Sequence, residues 1–342
     1  MMATAAPPIP VDAPRLARKR LRPWDTAFHG FVILSIGVAL GALAWLFAIV
    51  LWQGLPLLNL EFITNNPSRK PEAAGFYSPM IGSIMLMFWT AIVAIPLGFA
   101  GALYLEKFAP TSAAELDSWS RRIERRHRDR QAASALGTLG VGWAKVWARI
   151  GPRINRILEV NISNLAAVPS IVYGLLGLAL FVQIVGLERS IFTGGITLGL
   201  LVLPIIIVAS REAIRAVPSS IEQGAMALGA TRWQAVRRQV FPAALPGMLT
   251  GTILAMSRAI GETAPLVVFG GVLFATNQAS LNPAESIDST LWAMPLQIFF
   301  WKFDARTDFQ DLAAPAIIVL LAVLILMNLA AILIRNKFSR RW

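Results

Sequence analysis

Six stretches of the chain are apolar over about twenty residues or more, and no other feature of the sequence constrains its fold as strongly. The hydrocarbon core of a bilayer is roughly 30 Å thick and an α-helix rises about 1.5 Å per residue, so each stretch is long enough to make one crossing. The windows run approximately from Phe28 to Trp52, Pro79 to Tyr104, Asn164 to Val185, Ile191 to Ser210, Pro246 to Phe274, and Ala313 to Ile334. Charged residues make up only 15% of the chain, against roughly 25% in a soluble domain. A closed β-barrel would also satisfy its backbone in lipid, but these windows are too long and lack alternation of period two. The sequence therefore predicts an all-α integral membrane protein with six transmembrane helices.

Lys and Arg placement sets the expected orientation, because basic residues are retained on the cytoplasmic side. The amino-terminal tail, the loop from Leu105 to Ser163, the loop from Arg211 to Leu245 and the carboxyl tail hold 25 of the 31 basic residues, and the three opposite loops hold 5. Both termini are expected in the cytoplasm. The same distribution answers the net charge of +12, which is divided among four segments instead of gathered on one face, so nucleic acid is not an expected partner. The chain has no cysteine, which excludes disulfides and thiolate metal sites. Its first apolar run is long and lacks an evident small-residue cleavage site, and so reads as a retained span instead of a signal peptide. His29 and His127 are the only histidines, and neither has a carboxylate cluster for metal binding or catalysis.

The expected organisation is a disordered basic tail over residues 1–27 and a first transmembrane helix with its external loop over 28–75. A larger transmembrane region over 76–334 and a basic tail over 335–342 complete it. Within 76–334 a helical insertion covers about 111–152. Ser112 and Glu115 give it a capping-box pattern, and Trp143, Val146, Trp147 and Ile150 form one amphipathic face suited to the membrane surface or a protein partner. In the outer loop from Ala275 to Leu312, the aromatic run LWAMPLQIFFWKF reads first as interface anchors and second as a docking surface for an extracytoplasmic protein.

The loop over 211–245 is the most specific part of the sequence. It reads as two short helices with an elbow. Ser219 with Glu222 and Ser220 with Gln223 fit capping boxes, Ile221, Ala225 and Leu228 share a face, and Gly229 suits a left-handed stop. Thr231 with Gln234 offers another capping box, Trp233, Val236 and Val240 share a side, and Pro242 is the expected stop. An exposed apolar side on such an elbow suggests a protein partner.

The segment from Gln223 to Pro242 resembles the EAA loop of ABC-importer permeases, with Gly229 and Pro242 at the family spacing and Gln223, Gly224 and Ala225 where E-A-A would stand. NISNLAAVPSIVYGLLGLALFV, SRAIGETAPL and the tail LLAVLILMNLAAILIRNKFSRR are similar to phosphate ABC-transporter permeases of the PstA type, and the likeness covers most of residues 76–341. The resemblance implies the type I ABC-importer permease fold and coupling to an ATPase through Ile221, Gln223, Gly224, Ala225, Leu228, Gly229 and Ala230. It also implies a PstC-type permease as heterodimer partner, a PstB-type ATPase dimer, and a PstS-type periplasmic phosphate-binding protein. Such a chain is a non-catalytic subunit that binds no cofactor itself, with ATP and magnesium on the partner ATPase. Independently, no G-x-x-x-x-G-K-[ST] occurs, and none of the six lysines follows a glycine-rich loop, so the chain has no P-loop for ATP.

One segment of the fifth window, LAMSRAIGETAPLVVFGG, carries Arg258 and Glu262 four residues apart in otherwise apolar surroundings. That spacing puts them on nearly the same helix face, where each neutralises the other. An arginine near mid-membrane costs about 2.5–3.5 kcal/mol on insertion scales, so it usually faces a bundle interior or a wet cavity. Pro265 removes a backbone donor and weakens the helix around Glu262, and such breaks mark binding regions in transporters. Arg258, Glu262, Thr263 and Pro265 are thus the candidate pathway residues for phosphate, with a structural ion pair as the rival reading. Two further readings stay open from the residues, a permease for sulfate or molybdate and an ion-coupled secondary transporter using Arg258 and Glu262.

Overall fold

The computed structural model describes residues 23–109, 154–155, 157–162, 164–269 and 279–338. The helical insertion expected over 111–152, with Ser112, Trp143 and Trp147, and both tails through residue 22 and from residue 339 lie outside the described residues. Among the described residues every regular element is helical, apart from an isolated antiparallel bridge between Ser190 and Thr290.

The chain divides into two compact units, residues 1–49 and 50–342. The first holds most of α1 (Pro23–Gly54), whose Phe31, Leu34, Trp45 and Leu46 are exposed. A helix apolar on all sides has no face that prefers water, which is the property a lipid-crossing segment requires.

In the second unit, α2 (Leu60–Thr64) precedes α3 (Tyr77–Leu103), which continues into a π-helical turn, Tyr104–Phe108. The third window is shorter than expected. Asn164 and Leu165 are helical, but Pro169 disfavours a helical conformation at Val168, and after a break over residues 166–169 the helix resumes at Ser170, giving α4 (Ser170–Gly177) and a π-helical run, Leu178–Ile184. Next come α5 (Ile191–Arg215), α6 (Ser219–Ala227), α7 (Arg232–Ala235) and α8 (Phe241–Ile260). After these follow α9 (Ala264–Phe269), α10 (Pro283–Ser286), α11 (Met294–Lys302) and α12 (Thr307–Phe338). Among the described residues, five helices are long and apolar enough to cross a membrane, and a shorter apolar one, Ser170–Ile184, stands at the third window.

Two expectations about the fifth window are corrected. The helix ends at Ile260 instead of running to Phe274. It also begins earlier, because Pro242 does not stop it: the apolar helix is continuous from Arg232 to Ile260. A π-helical turn over Val236–Val240, closed by the Phe241 N–H donating to the Val236 carbonyl, widens the ladder just before the proline. Pro242 then sits near the start of α8, where the absence of an N–H costs little.

Glycine contacts give the helix directions. Gly195 lies against Trp89, Gly199 against Val93 and Gly98 against Ile206, so α3 and α5 run parallel. Gly251 lies against Ala209 and Gly247 against Ala213, so α8 runs antiparallel to α5. Ser257 Oγ donates to Asn328 Oδ1 at 2.6 Å, and Arg335 donates to Thr250 Oγ1 at 3.4 Å, so α12 is antiparallel to α8. The core between these helices includes Met87, Leu198, Val202, Ile206, Ala255 and Leu266. One end of this unit gathers Lys107, Arg211, Arg215, Arg232 and Arg335.

At the opposite end, residues 279–306 fold back over the starts of α3 and α5. Trp89 Nε1 donates to Ser286 Oγ at 2.8 Å, the Met294 N–H donates to Ser83 Oγ at 2.7 Å, and the Ile191 N–H donates to the Ser289 carbonyl at 3.1 Å. The reading of LWAMPLQIFFWKF as interface anchors is corrected for most of the run. Leu291, Trp292, Met294, Leu296 and Trp301 are buried, and Trp301 sits within a cluster of Phe62, Phe76 and Phe309 with ring centroids 5.6–6.4 Å apart. The fold-back of this segment over α3, with Met294, Leu296 and Trp301 on α11, turned these side chains inward, which a span-boundary rule does not anticipate. Phe299 and Phe303 remain exposed.

Candidate functional sites

The elbow expected between the fourth and fifth windows is present. Leu228 is the C-cap of α6, and Gly229 adopts φ +89°, a left-handed conformation that disfavours residues with a Cβ. The Ala230 N–H donates to the Ala225 carbonyl at 3.1 Å, closing the turn. Thr231 and Gln234 form the expected capping box at the start of α7, with Thr231 Oγ1 accepting from the Gln234 N–H and Gln234 Oε1 accepting from the Thr231 N–H. Ile221, Gln223, Gly224 and Leu228 face outward, and Leu228 is 92% exposed. Ala225, Leu228, Gly229, Ala230, Gln234 and Arg238 line an open cavity of about 370 Å³ in the crook.

The two capping boxes expected at Ser219 and Ser220 do not form. Pro218 is the N-cap of α6 and supplies no side-chain acceptor. Glu222 is spent elsewhere. Lys107 Nζ donates to its Oε2 at 2.8 Å, Arg232 stands 3.6 Å from its Oε1, and the residue is 8% exposed. Beside it, Phe108 meets the Trp233 ring at 5.9 Å, and the Arg232 guanidinium lies 5.9 Å from the Phe108 ring centroid. A second cluster adjoins: Glu106 accepts from Arg211 at 3.3 Å and from Arg215 at 3.0 and 3.1 Å, and Arg211 also donates to Glu159 at 2.7 Å. Sequence reasoning missed Glu106, Lys107, Arg211 and Arg215. Their partners lie from about 50 to more than 110 residues away, and no local period marks such pairs.

The other candidate lies at the far end of α8. Arg258 Nε donates to Glu262 Oε1 at 3.1 Å, with the Arg258 side chain 57% exposed and that of Glu262 17% exposed. Arg258 occupies the last turn of α8, a position that the helix dipole favours for a cation irrespective of any ligand. The helix breaks at Gly261. The N–H groups of Gly261 and Glu262 turn back to the carbonyls of Arg258 and Ala259 at 3.2 Å, and the Thr263 carbonyl then accepts from Leu266 and Val267 at 3.0 Å as α9 begins. Pro265 is buried in the first turn of α9, and the absence of a Cβ at Gly174 lets the Pro265 backbone approach α4 closely: a methyl there would lie 2.5 Å from the Pro265 carbonyl oxygen. Pro265 therefore contributes a helix break and a packing contact, while Arg258, Glu262 and Thr263 retain partial solvent access. Arg189 donates to the Phe269 carbonyl at 3.3 Å, at the other end of α9.

A cavity of about 250 Å³ runs between α8 and α12, lined by Ile95, Leu249, Ile253, Met256, Ile260 and Leu324, with Thr252, Ser257 and Asn328 as its polar groups. Among the described residues no Lys or Arg lines it, and an anion entering it would lose hydration with only those three polar groups to compensate. Arg258 and Glu262 do not line it.

Residues 136–342 match the family described as "Binding-protein-dependent transport system inner membrane component". Curated relatives extend over nearly the whole chain. The probable ABC transporter permease protein YqgI of Bacillus subtilis is 26% identical, over 90% of this chain and 93% of its own length. The phosphate transport system permease protein PstA 1 of Mycobacterium tuberculosis is 27% identical, over 97% of this chain and 94% of its own. The phosphate transport system permease protein PstA of Haemophilus influenzae is 26% identical, over 90% and 93%. A chain of the MetNI methionine ABC transporter, in an inward-facing conformation, superposes with a TM-score of 0.48 at 14% identity, covering 78% of this chain and 95% of that one, which is too weak to carry the fold. The family match spans more than half of the sequence and takes in α4 to α12, with the elbow and the broken fifth window: the chain belongs to the family of inner membrane components of binding-protein-dependent transport systems.

Proposed function

We propose that this chain is the PstA-type permease subunit of an ATP-driven importer of inorganic phosphate. The observation that carries the coupling half of the reading is the elbow, with an apolar rim at Ile221 and Leu228, a left-handed glycine at 229 and an open crook, all on the basic end of the helices. A bare transmembrane connector needs none of these. The substrate half is supported by the relatives' names together with Arg258, whose guanidinium offers paired donors to a phosphate oxygen pair. In this reading Arg258 lines the path, Thr263 and the opened backbone near it flank the path, and Glu262 partly neutralises the arginine so that the anion is released instead of retained.

The basic end faces the cytoplasm, where retained Lys and Arg place it, and both termini lie on that side. The partners are a PstC-type permease as the other half of the path, a PstB-type ATPase dimer against Ile221, Gln223, Gly224, Ala225, Leu228, Gly229 and Ala230, and a PstS-type phosphate-binding protein on the opposite side. ATP and magnesium are held by the ATPase, and this chain does no bond-breaking chemistry. Family membership favours this arrangement over an ion-coupled secondary transporter. The test is uptake of labelled phosphate at low concentration in cells with and without the chain, with sulfate and molybdate as competitors. Loss of phosphate uptake without the chain, and no competition by excess sulfate or molybdate, is the expected result. Uptake that persists without the chain, or that sulfate or molybdate suppresses, would overturn the substrate assignment.

A further inference from the structure

We propose that the π-helical turn Tyr104–Phe108 is the internal anchor of the coupling elbow, and that Lys107, paired with Glu222, is a positioning residue that carries the elbow's displacement into α3. The proposal rests on the reading of the elbow as the ATPase contact. Three successive residues of this turn hold three different elements: Glu106 accepts from Arg211 and Arg215 at the end of α5, Lys107 donates to Glu222 on α6, and Phe108 meets Trp233 on α7. A helical turn that widens from i→i+4 to i→i+5 rotates its side chains away from the regular pattern, and π-turns of this kind recur at functional positions.

The elbow therefore has two unlike faces. Its outer face is apolar and uncovered at Ile221 and Leu228, whereas its inner face holds one carboxylate between two cations. Exposed ion pairs contribute little to stability and are screened by salt. The Lys107 and Glu222 side chains are only 14% and 11% exposed, which shields them, and they lie 115 residues apart, so the pair cannot serve to stabilise either helix on its own. What it does is fix α6 to the end of α3. From there α3 lies parallel to α5 through the close contacts at Gly98, Gly195 and Gly199, so a shift of the turn is transmitted along two packed helices instead of being lost in a loop.

This chain lacks cysteine, so an introduced pair has no competing thiol within it. In the assembled complex, Lys107→Met should lower phosphate imported per ATP hydrolysed about tenfold, with the amount of complex and its hydrolysis within twofold of native, and Lys107→Arg should keep more than half of the native ratio. A short bis-maleimide joining Lys107→Cys to Glu222→Cys should restore import relative to the unlinked double variant, because an anchor stays closed through the cycle. Amide exchange over residues 219–229 should rise at least tenfold in Lys107→Met and stay native in Lys107→Arg. Native coupling and native exchange in Lys107→Met would overturn the proposal, as would a cross-link that abolishes import, since the pair would then be a contact that must open. Uptake, hydrolysis and assembly all falling in proportion would likewise overturn it and leave Lys107 a folding contact. If the native complex imports no phosphate, the functional reading above fails, and the exchange measurement, which needs no substrate, decides the anchor alone.

Discussion

Two ion pairs serve as counterparts at the two ends of this permease. Arg258 and Glu262 sit four residues apart at the end of one helix, with the arginine more than half exposed, whereas Lys107 and Glu222 join segments 115 residues apart, with both side chains largely covered. The difference lies in what each cation is able to do. An exposed guanidinium keeps donors turned toward water and can exchange one anionic partner for another at small cost, as the weak net worth of exposed pairs implies. A covered pair is costly to open, because either partner left alone carries the full desolvation penalty of a charge. The Arg258–Glu262 pair is thus suited to a transient ligand and the Lys107–Glu222 pair to constant geometry.

The largest effect is expected where the comparison is sharpest. Arg258→Gln should reduce phosphate uptake roughly 30- to 150-fold with assembly and ATP binding intact, because removing a charge-assisted donor pair to the anion costs on the order of 2–3 kcal/mol. The charge-swapped double variant, Arg258→Glu with Glu262→Arg, breaks the contrast if it transports at the native rate, for that pair would then be structural like Lys107 and Glu222. Labelled-phosphate uptake with quantified complex checks both.

Next in size is the elbow. Gly229→Val should lower uptake about tenfold, since a β-branched residue at φ +89° costs about 1–3 kcal/mol. A Cβ at Gly229 would meet nothing within 4 Å, so the effect is purely one of backbone conformation. Gly186 provides the control, being at φ +81° and equally open. Gly186→Val should destabilise to a similar degree and leave phosphate imported per ATP unchanged, and equal uncoupling by both variants would remove the elbow's special status.

Glu262→Gln is expected to lower uptake about threefold, because the amide still accepts a hydrogen bond from Arg258 but no longer offsets its charge. A loss as deep as that of Arg258→Gln would show the pair acting as a unit. The smallest effect belongs to Thr231→Ala, which removes the α7 cap and should cost about 1 kcal/mol of local stability. Faster amide exchange over residues 231–236 with uptake within twofold of native is the expected outcome.

Particular residues show how much was legible. The Arg258–Glu262 pair, the break associated with Pro265, the left-handed Gly229 and the Thr231–Gln234 box were all readable, because each depends on residues within one or two helical turns of each other. Glu222 was misread as a cap from the same local logic. Ser219 and Ser220 are chemically able to cap, but Pro218 takes the N-cap position and two distant cations claim the carboxylate. Pro242 was read as a stop, and the π-turn before it absorbed the missing donor.

By itself the sequence determined that the chain is helical and crosses a membrane, and which short segments carry charge in apolar surroundings. Those properties follow from hydropathy summed over about 20 residues and from capping and turn chemistry, which act over distances that the order of residues directly encodes. Only the tertiary structure decided that α3 and α5 run parallel, that Trp292 and Trp301 turn inward, and that Lys107 meets Glu222. These depend on which faces pack together after the helices form, and a contact across 115 residues leaves no periodic trace in the chain that makes it.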